Sequence, residues 1–81
     1  MKVICTGKFL SSRDKFDNAR VNKNIDRFFA ELQSCPSLKD ISNISKLSGL
    51  DIYVKRITID MRLLFSIEGD AVIILDLMKH R

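Results

Sequence analysis

Two neighbouring runs near the end of the chain constrain it most. In the first, Met61, Leu63, Phe65 and Ile67 alternate with Arg62, Ser66 and Glu68. A period of two gives a strand one apolar and one polar face, and Leu64 is the only apolar residue on the polar one. In the second, Ala71-Val72-Ile73-Ile74-Leu75 is apolar at every position, the mark of a strand that is central in its sheet or covered on both faces. Glu68-Gly69-Asp70 separates the runs, and Gly69 can take the positive φ that a tight hairpin needs. The spacing predicts residues 61–67 and 71–78 as antiparallel neighbours, the last two of three consecutive strands within 52–81. The remaining residues must supply a cover for the apolar face.

A helix is the obvious cover. Val21, Ile25, Phe28, Phe29 and Leu32 fall within one stripe at helical spacing, with Arg20, Lys23, Asp26, Arg27 and Glu31 on the remaining surface. Leu32 and the other stripe residues are expected to face residues 61–67. Phe16 and Ala19 lie off the stripe, which predicts a separate short helix before Val21 or a kink around Asp17-Asn18. Ser11 and Ser12 are the candidate N-caps of that earlier segment, with Asp14 adding negative charge to its first turn. Residues 2–6 read as a strand, and Gly7 offers a break or bulge. Pro36 is expected to end the long helix, because it lacks the backbone N–H and biases Cys35 away from helical angles. Ser37 can cap a short turn through Leu38 and Ile41, 44–47 reads as extended, and Ser48-Gly49 is a turn signal. The first strand is expected beside the last, on the side away from the hairpin partner, since this places the fully apolar strand inside the sheet.

At 81 residues, one domain spanning 1–81 is expected. A chain of this size buries roughly 60–65% of its unfolded surface, enough for one thin core between two layers. The formal charge of +4 is compatible with nucleic acid, with an acidic protein partner or with no partner. Cys5 and Cys35 lack CxxC spacing and read as reduced thiols of a cytoplasmic protein. With a single histidine beside them they are too few for a metal site, and no cofactor is expected. Residues 1–10 do not fit a signal peptide, and the apolar run 71–75 is far short of a membrane span.

Taken in order, Leu47-Ser48-Gly49-Leu50, Tyr53, Arg56, Met61-Arg62-Leu63-Leu64-Phe65, the apolar run 72–77 and the closing His80-Arg81 resemble the RelE/ParE superfamily. These are toxins of bacterial and archaeal toxin–antitoxin operons, and the likeness spans about residues 20–81. The resemblance implies an α+β, two-layer fold of order β-α-α-β-β-β, with room for one more strand. Its mainly antiparallel sheet would be covered on one face by helices. It also implies a cytoplasmic protein neutralised by a cognate antitoxin protein. The RelE-like branch cuts mRNA in the ribosomal A site without metal. The ParE-like branch poisons DNA gyrase. A third possibility is an inactive member that only binds its antitoxin.

Metal-independent RNA cleavage needs a group to take the 2′-hydroxyl proton, one to stabilise the phosphorane and one to protonate the leaving oxygen. Arginine suits the second task, since it stays charged and forks onto two phosphate oxygens. By resemblance, Arg56, Arg62 and Arg81 take that task. Relatives commonly carry a tyrosine or other aromatic or polar group shortly after the closing arginine. Arg81 is the last residue of this sequence, so His80, which titrates near neutrality, becomes the acid–base candidate. Each candidate also has a plainer reading. Arg56 can pair with Asp51 or Asp60, Arg62 can sit on a solvated strand face, and His80 can be exposed without a role. Tyr53, Phe65 and the Phe28-Phe29 pair read as packing residues, and Lys55 is expected to point away from Arg56.

Overall fold

The computed structural model describes residues 1–35 and 37–79, so Pro36, His80 and Arg81 lie outside the described residues. The order is β1 (Lys2–Cys5), α1 (Gly7–Lys15), α2 (Ala19–Ser34), a 3-10 turn (Leu38–Asp40), β2 (Ile44–Lys46), β3 (Tyr53–Thr58), β4 (Met61–Glu68) and β5 (Ala71–Lys79). The five strands form one sheet in the order β1-β5-β4-β3-β2. Only β1 runs parallel to its neighbour; the other pairs are antiparallel. This is the expected α+β outline with four strands after the helices. The first strand lies beside the last, opposite the hairpin partner.

The hairpin forms as the alternation requires. Met61, Leu63 and Phe65 are buried, and Gly69 turns with a φ of +61°. Gly49 takes a φ of +76° in the turn between β2 and β3. The amphipathic stripe buries Val21, Ile25, Phe28 and Leu32 against this face, while Phe29 is half-buried. Phe28 meets Phe65 with ring centroids 5.6 Å apart, and Tyr53 stacks on Phe65 at 5.4 Å. Burying such side chains is worth about 1.5–3 kcal/mol each relative to exposure.

A short helix does precede α2, which begins at an Asn18 cap accepting from the Arg20 and Val21 amides. Its own cap is not where the sequence places it. Thr6, not Ser11 or Ser12, caps α1: its Oγ1 accepts from the Phe9 amide at 3.2 Å and donates to the Ile74 carbonyl at 2.8 Å. The helix therefore begins one residue after β1, and Gly7 opens it rather than forming a bulge. Arg13 then ties α1 to Asn22 and Asp26 of α2, at 3.0 and 2.9 Å.

β5 departs from simple alternation. Leu64 pairs with Asp76 and Phe65 with Ile74, so Leu75 is an extra, bulged residue. The bulge lets Val72, Ile74 and Leu77 all reach the core, and Asp76 beside it accepts from the Ser12 hydroxyl of α1 and pairs with Lys8 at 3.7 Å. β5 is interior to the sheet, between β1 and β4, and Ala71, Ile73 and Leu75 on it are half-buried rather than buried.

Candidate functional site

The sheet face away from the helices is open. On it, next to the turn between the two strands, Arg56 of β3 stands directly opposite Arg62 of β4. Like charges facing each other across a strand pair destabilise it, so this pairing is not a packing solution. Arg56 takes neither of its candidate partners: Asp51 pairs with Lys46 at 3.6 Å, and Asp60 accepts from the Thr58 hydroxyl at 3.0 Å.

Arg62 is more than a solvated strand residue. Its Nη1 donates to the carbonyls of Thr58 (3.0 Å), Met61 (3.2 Å) and Ile59 (3.4 Å) in the turn between β3 and β4. These bonds, all from Nη1, anchor one arm of the guanidinium at the turn. The strand shift between Arg56 and Thr58 sits next to the pair, where a bulge re-aims a side chain.

Two adjoining hollows flank the arginines. One, of about 410 Å³, is lined by Leu47, Val54, Leu64 and Met78 with Arg62 and Lys79 at its margin. The other, of about 260 Å³, lies between Asn43, Val54, Arg56 and Arg62. The site thus joins a cationic pair to an apolar floor. Such a surface can hold a phosphate at the arginines and lay a base or an apolar side chain beside it.

Of the four residues singled out by sequence, Arg56 and Arg62 come together here. His80 and Arg81 lie outside the described residues, although they follow Lys79 directly. The described lining of the two hollows contains no acid–base group that titrates near neutrality. Leu47, Leu64 and Met78 were not foreseen as a floor. The signal available was Leu64, the one apolar residue on an otherwise polar strand face.

Lys55 does point away from Arg56, but into the core face, where it is only 8% exposed. Its Nζ donates to the Ser42 carbonyl at 2.7 Å and lies 5.4 Å from the centre of the Phe28 ring. Burial lowers its pKa, and the Glu31 carboxylate partly offsets this. Among the described residues no three His, Cys, Asp or Glu side chains group to hold a metal ion, and no helix is long and apolar enough to cross a membrane.

No protein-family model matches the chain, and no curated protein matches it by sequence. Solved structures do match. YoeB of Staphylococcus aureus, solved as a dimer, superposes with a TM-score of 0.80 at 19% identity, covering 100% of this chain and 98% of that one. RelE of Methanococcus jannaschii, in a complex with the antitoxin RelB, gives 0.81 at 21% identity over 94% of this chain and 88% of that chain. A YoeB/ParE toxin from Agrobacterium tumefaciens gives 0.79 at 18% identity over the whole of both chains. The fold is therefore that of the RelE, YoeB and ParE toxins, as the sequence resemblance implied.

Proposed function

We propose that this chain is the toxin of a toxin–antitoxin pair and a RelE-like endoribonuclease acting in the cytoplasm on mRNA held by the ribosome. The observation that supports the reading best is the Arg56–Arg62 pair beside an apolar floor on the open face of a toxin fold. A structural role does not call for two opposed arginines with no carboxylate between them. A phosphate does.

In the proposed reaction the 2′-oxygen attacks the adjacent phosphorus and the bond to the 5′-oxygen breaks. The products are a cyclic phosphate and a 5′-hydroxyl. Arg62, held by its turn carbonyls, and Arg56 stabilise the charge on the phosphorane, and Arg81 would add a third cation. His80 is assigned the proton transfers. The neutralising partner is an acidic, partly disordered antitoxin segment that folds onto the arginines and the apolar floor. Antitoxins of neighbouring folds, RelB and YefM, are found in complex with their toxins.

Induced expression without a partner tests this. The expected outcome is growth arrest with loss of amino-acid incorporation and mRNA cut within codons on purified programmed ribosomes. Continued translation with accumulating DNA breaks would replace the ribonuclease with a gyrase poison. Unimpaired growth at good expression would leave only an antitoxin-binding protein.

A further inference from the structure

A third hollow, of about 310 Å³, lies between α2 and residues 55–57 of β3, next to the start of β2, where the Arg56 amide donates to the Asn43 carbonyl at 3.0 Å. Arg27 and Glu31 of α2 line it together with Asn24, Asn43, Lys55 and Arg56. Three cations thus meet one carboxylate, an excess of two positive charges. The ion pairs among the described residues, Lys8–Asp76, Arg13–Asp26 and Lys46–Asp51, involve none of the four.

The donors are held in place. The Asn24 amide is fixed by its bond to the Ile57 carbonyl at 2.9 Å, which leaves its second N–H available. The Lys55 ammonium spends one N–H on the Ser42 carbonyl and keeps two. A bound anion would supply an opposite charge that offsets the desolvation now disfavouring the Lys55 charge.

We propose that this pocket binds a phosphate group, with Lys55 as the inner cation, Arg27 and Arg56 as the outer ones, and the Asn24 amide as a neutral donor. The site is distinct from the open face and does not depend on the chain being a nuclease. Arg56 borders both, so the phosphate has two possible sources. It is either a small free phosphate compound or the neighbouring phosphate of a strand that crosses the open face and turns the edge of β3.

Amide chemical shifts of the full chain, followed at low salt, decide it. Inorganic phosphate and an uncleavable 2′-deoxy hexanucleotide are titrated separately. Inorganic phosphate is expected to move the amides of Asn24, Asn43 and Ile57. Arg27→Gln should weaken its binding about tenfold or more, since a charge-assisted contact is lost. Lys23→Gln, on the same helix outside the pocket, should leave it unchanged. If the ligand is a strand phosphate, the oligonucleotide moves the same amides at lower concentration, and Arg27→Gln reduces its salt slope by about one charge. If the ligand is free, the oligonucleotide moves only open-face amides such as those of Val54 and Leu64. The proposal is overturned if neither titrant moves Asn24 and Ile57, or if Arg27→Gln and Lys23→Gln weaken phosphate equally. Absence of toxicity or RNA cleavage bears on the open-face reading alone and leaves this titration intact.

Discussion

The two faces of the sheet are built from alternate residues of the same strands and obey different rules. On the covered face Phe65, Leu63 and Ile74 are fully buried, and aromatic rings interlock from Tyr53 through Phe65 to Phe28. On the open face Leu47 and Met78 are exposed at 38% and 46%, and Arg56 faces Arg62. The first face is what hydrophobic burial selects. The second gives up some stability by opposing like charges and leaving an apolar floor in water. A face arranged against folding preference in this way is where a function is to be sought.

The largest expected effect tests this contrast within β4. Phe65→Ala removes a buried ring that touches both Tyr53 and Phe28, and should cost about 3–5 kcal/mol by urea denaturation. Leu64→Ala, one residue along on the open face, should cost less than about 1.5 kcal/mol, because Leu64 is only half-buried. Equal losses at the two positions would mean that the open face is covered in solution, for instance by a second copy of the chain.

The next effect is functional. Arg62→Ala should slow cleavage on programmed ribosomes about a hundred- to thousand-fold, equivalent to roughly 3–4 kcal/mol of transition-state stabilisation. Its bonds to the turn carbonyls add a stability cost of about 0.5–1.5 kcal/mol, which a purely solvated arginine would not show. Arg62→Lys should restore little of the rate, since a point charge lacks the fork that holds the turn and the phosphate together. An Arg62→Ala protein that cuts as fast as the parent removes the arginine from the site. His80→Gln should flatten the pH dependence of cleavage near neutrality if His80 moves the proton.

A smaller effect separates the helix cap from the sheet it touches. Thr6→Val keeps the β-branched shape and deletes the hydroxyl that caps α1 and reaches the Ile74 carbonyl. The cost should be about 1 kcal/mol, with faster amide exchange in the first turn of α1 than in α2. Ser11→Ala, at a position first read as a cap, should be nearly neutral.

Strands, hairpin, long helix and the place of the first strand beside the last were legible because period and composition carry them. Met61, Leu63, Phe65 and Ile67 leave one possible face, and the apolar run 71–75 leaves one possible place in the sheet. The Thr6 cap was not legible, because its second partner is the carbonyl of Ile74, 68 residues away. Nor was the β5 bulge, although Asp76 inside an apolar run was a trace of it. Arg56 and Arg62 were visible by resemblance, but their direct opposition depends on register, which no local pattern supplies. Lys55 was placed on the right face and its burial was missed, because propensity says nothing of the Ser42 carbonyl that makes a buried ammonium tolerable.

Lys55 provides the smallest and most discriminating test, since it is the one buried charge among the described residues. Its ammonium bonds to a single carbonyl and lies near Phe28, yet burial dominates and lowers its pKa. The unfolded chain therefore binds this proton more tightly than the folded one. Below the folded pKa both states are charged and the full burial cost is present. As pH rises from the folded pKa towards the unfolded value, the folded state releases its proton first and the cost is relieved, so this group's contribution to stability improves. Lys55→Met keeps the length of the stem and removes the charge. At pH 7 its stability should lie within about 1 kcal/mol of the parent, on the stabilising side, because an apolar replacement of a buried charge is often neutral or better. The difference should shrink as urea midpoints are compared from pH 7 towards 10, with the parent gaining on the variant. A loss above about 2 kcal/mol at pH 7 would show that the Ser42 bond and the Phe28 ring outweigh desolvation. Lys55 would then count among the residues that hold the covered face together.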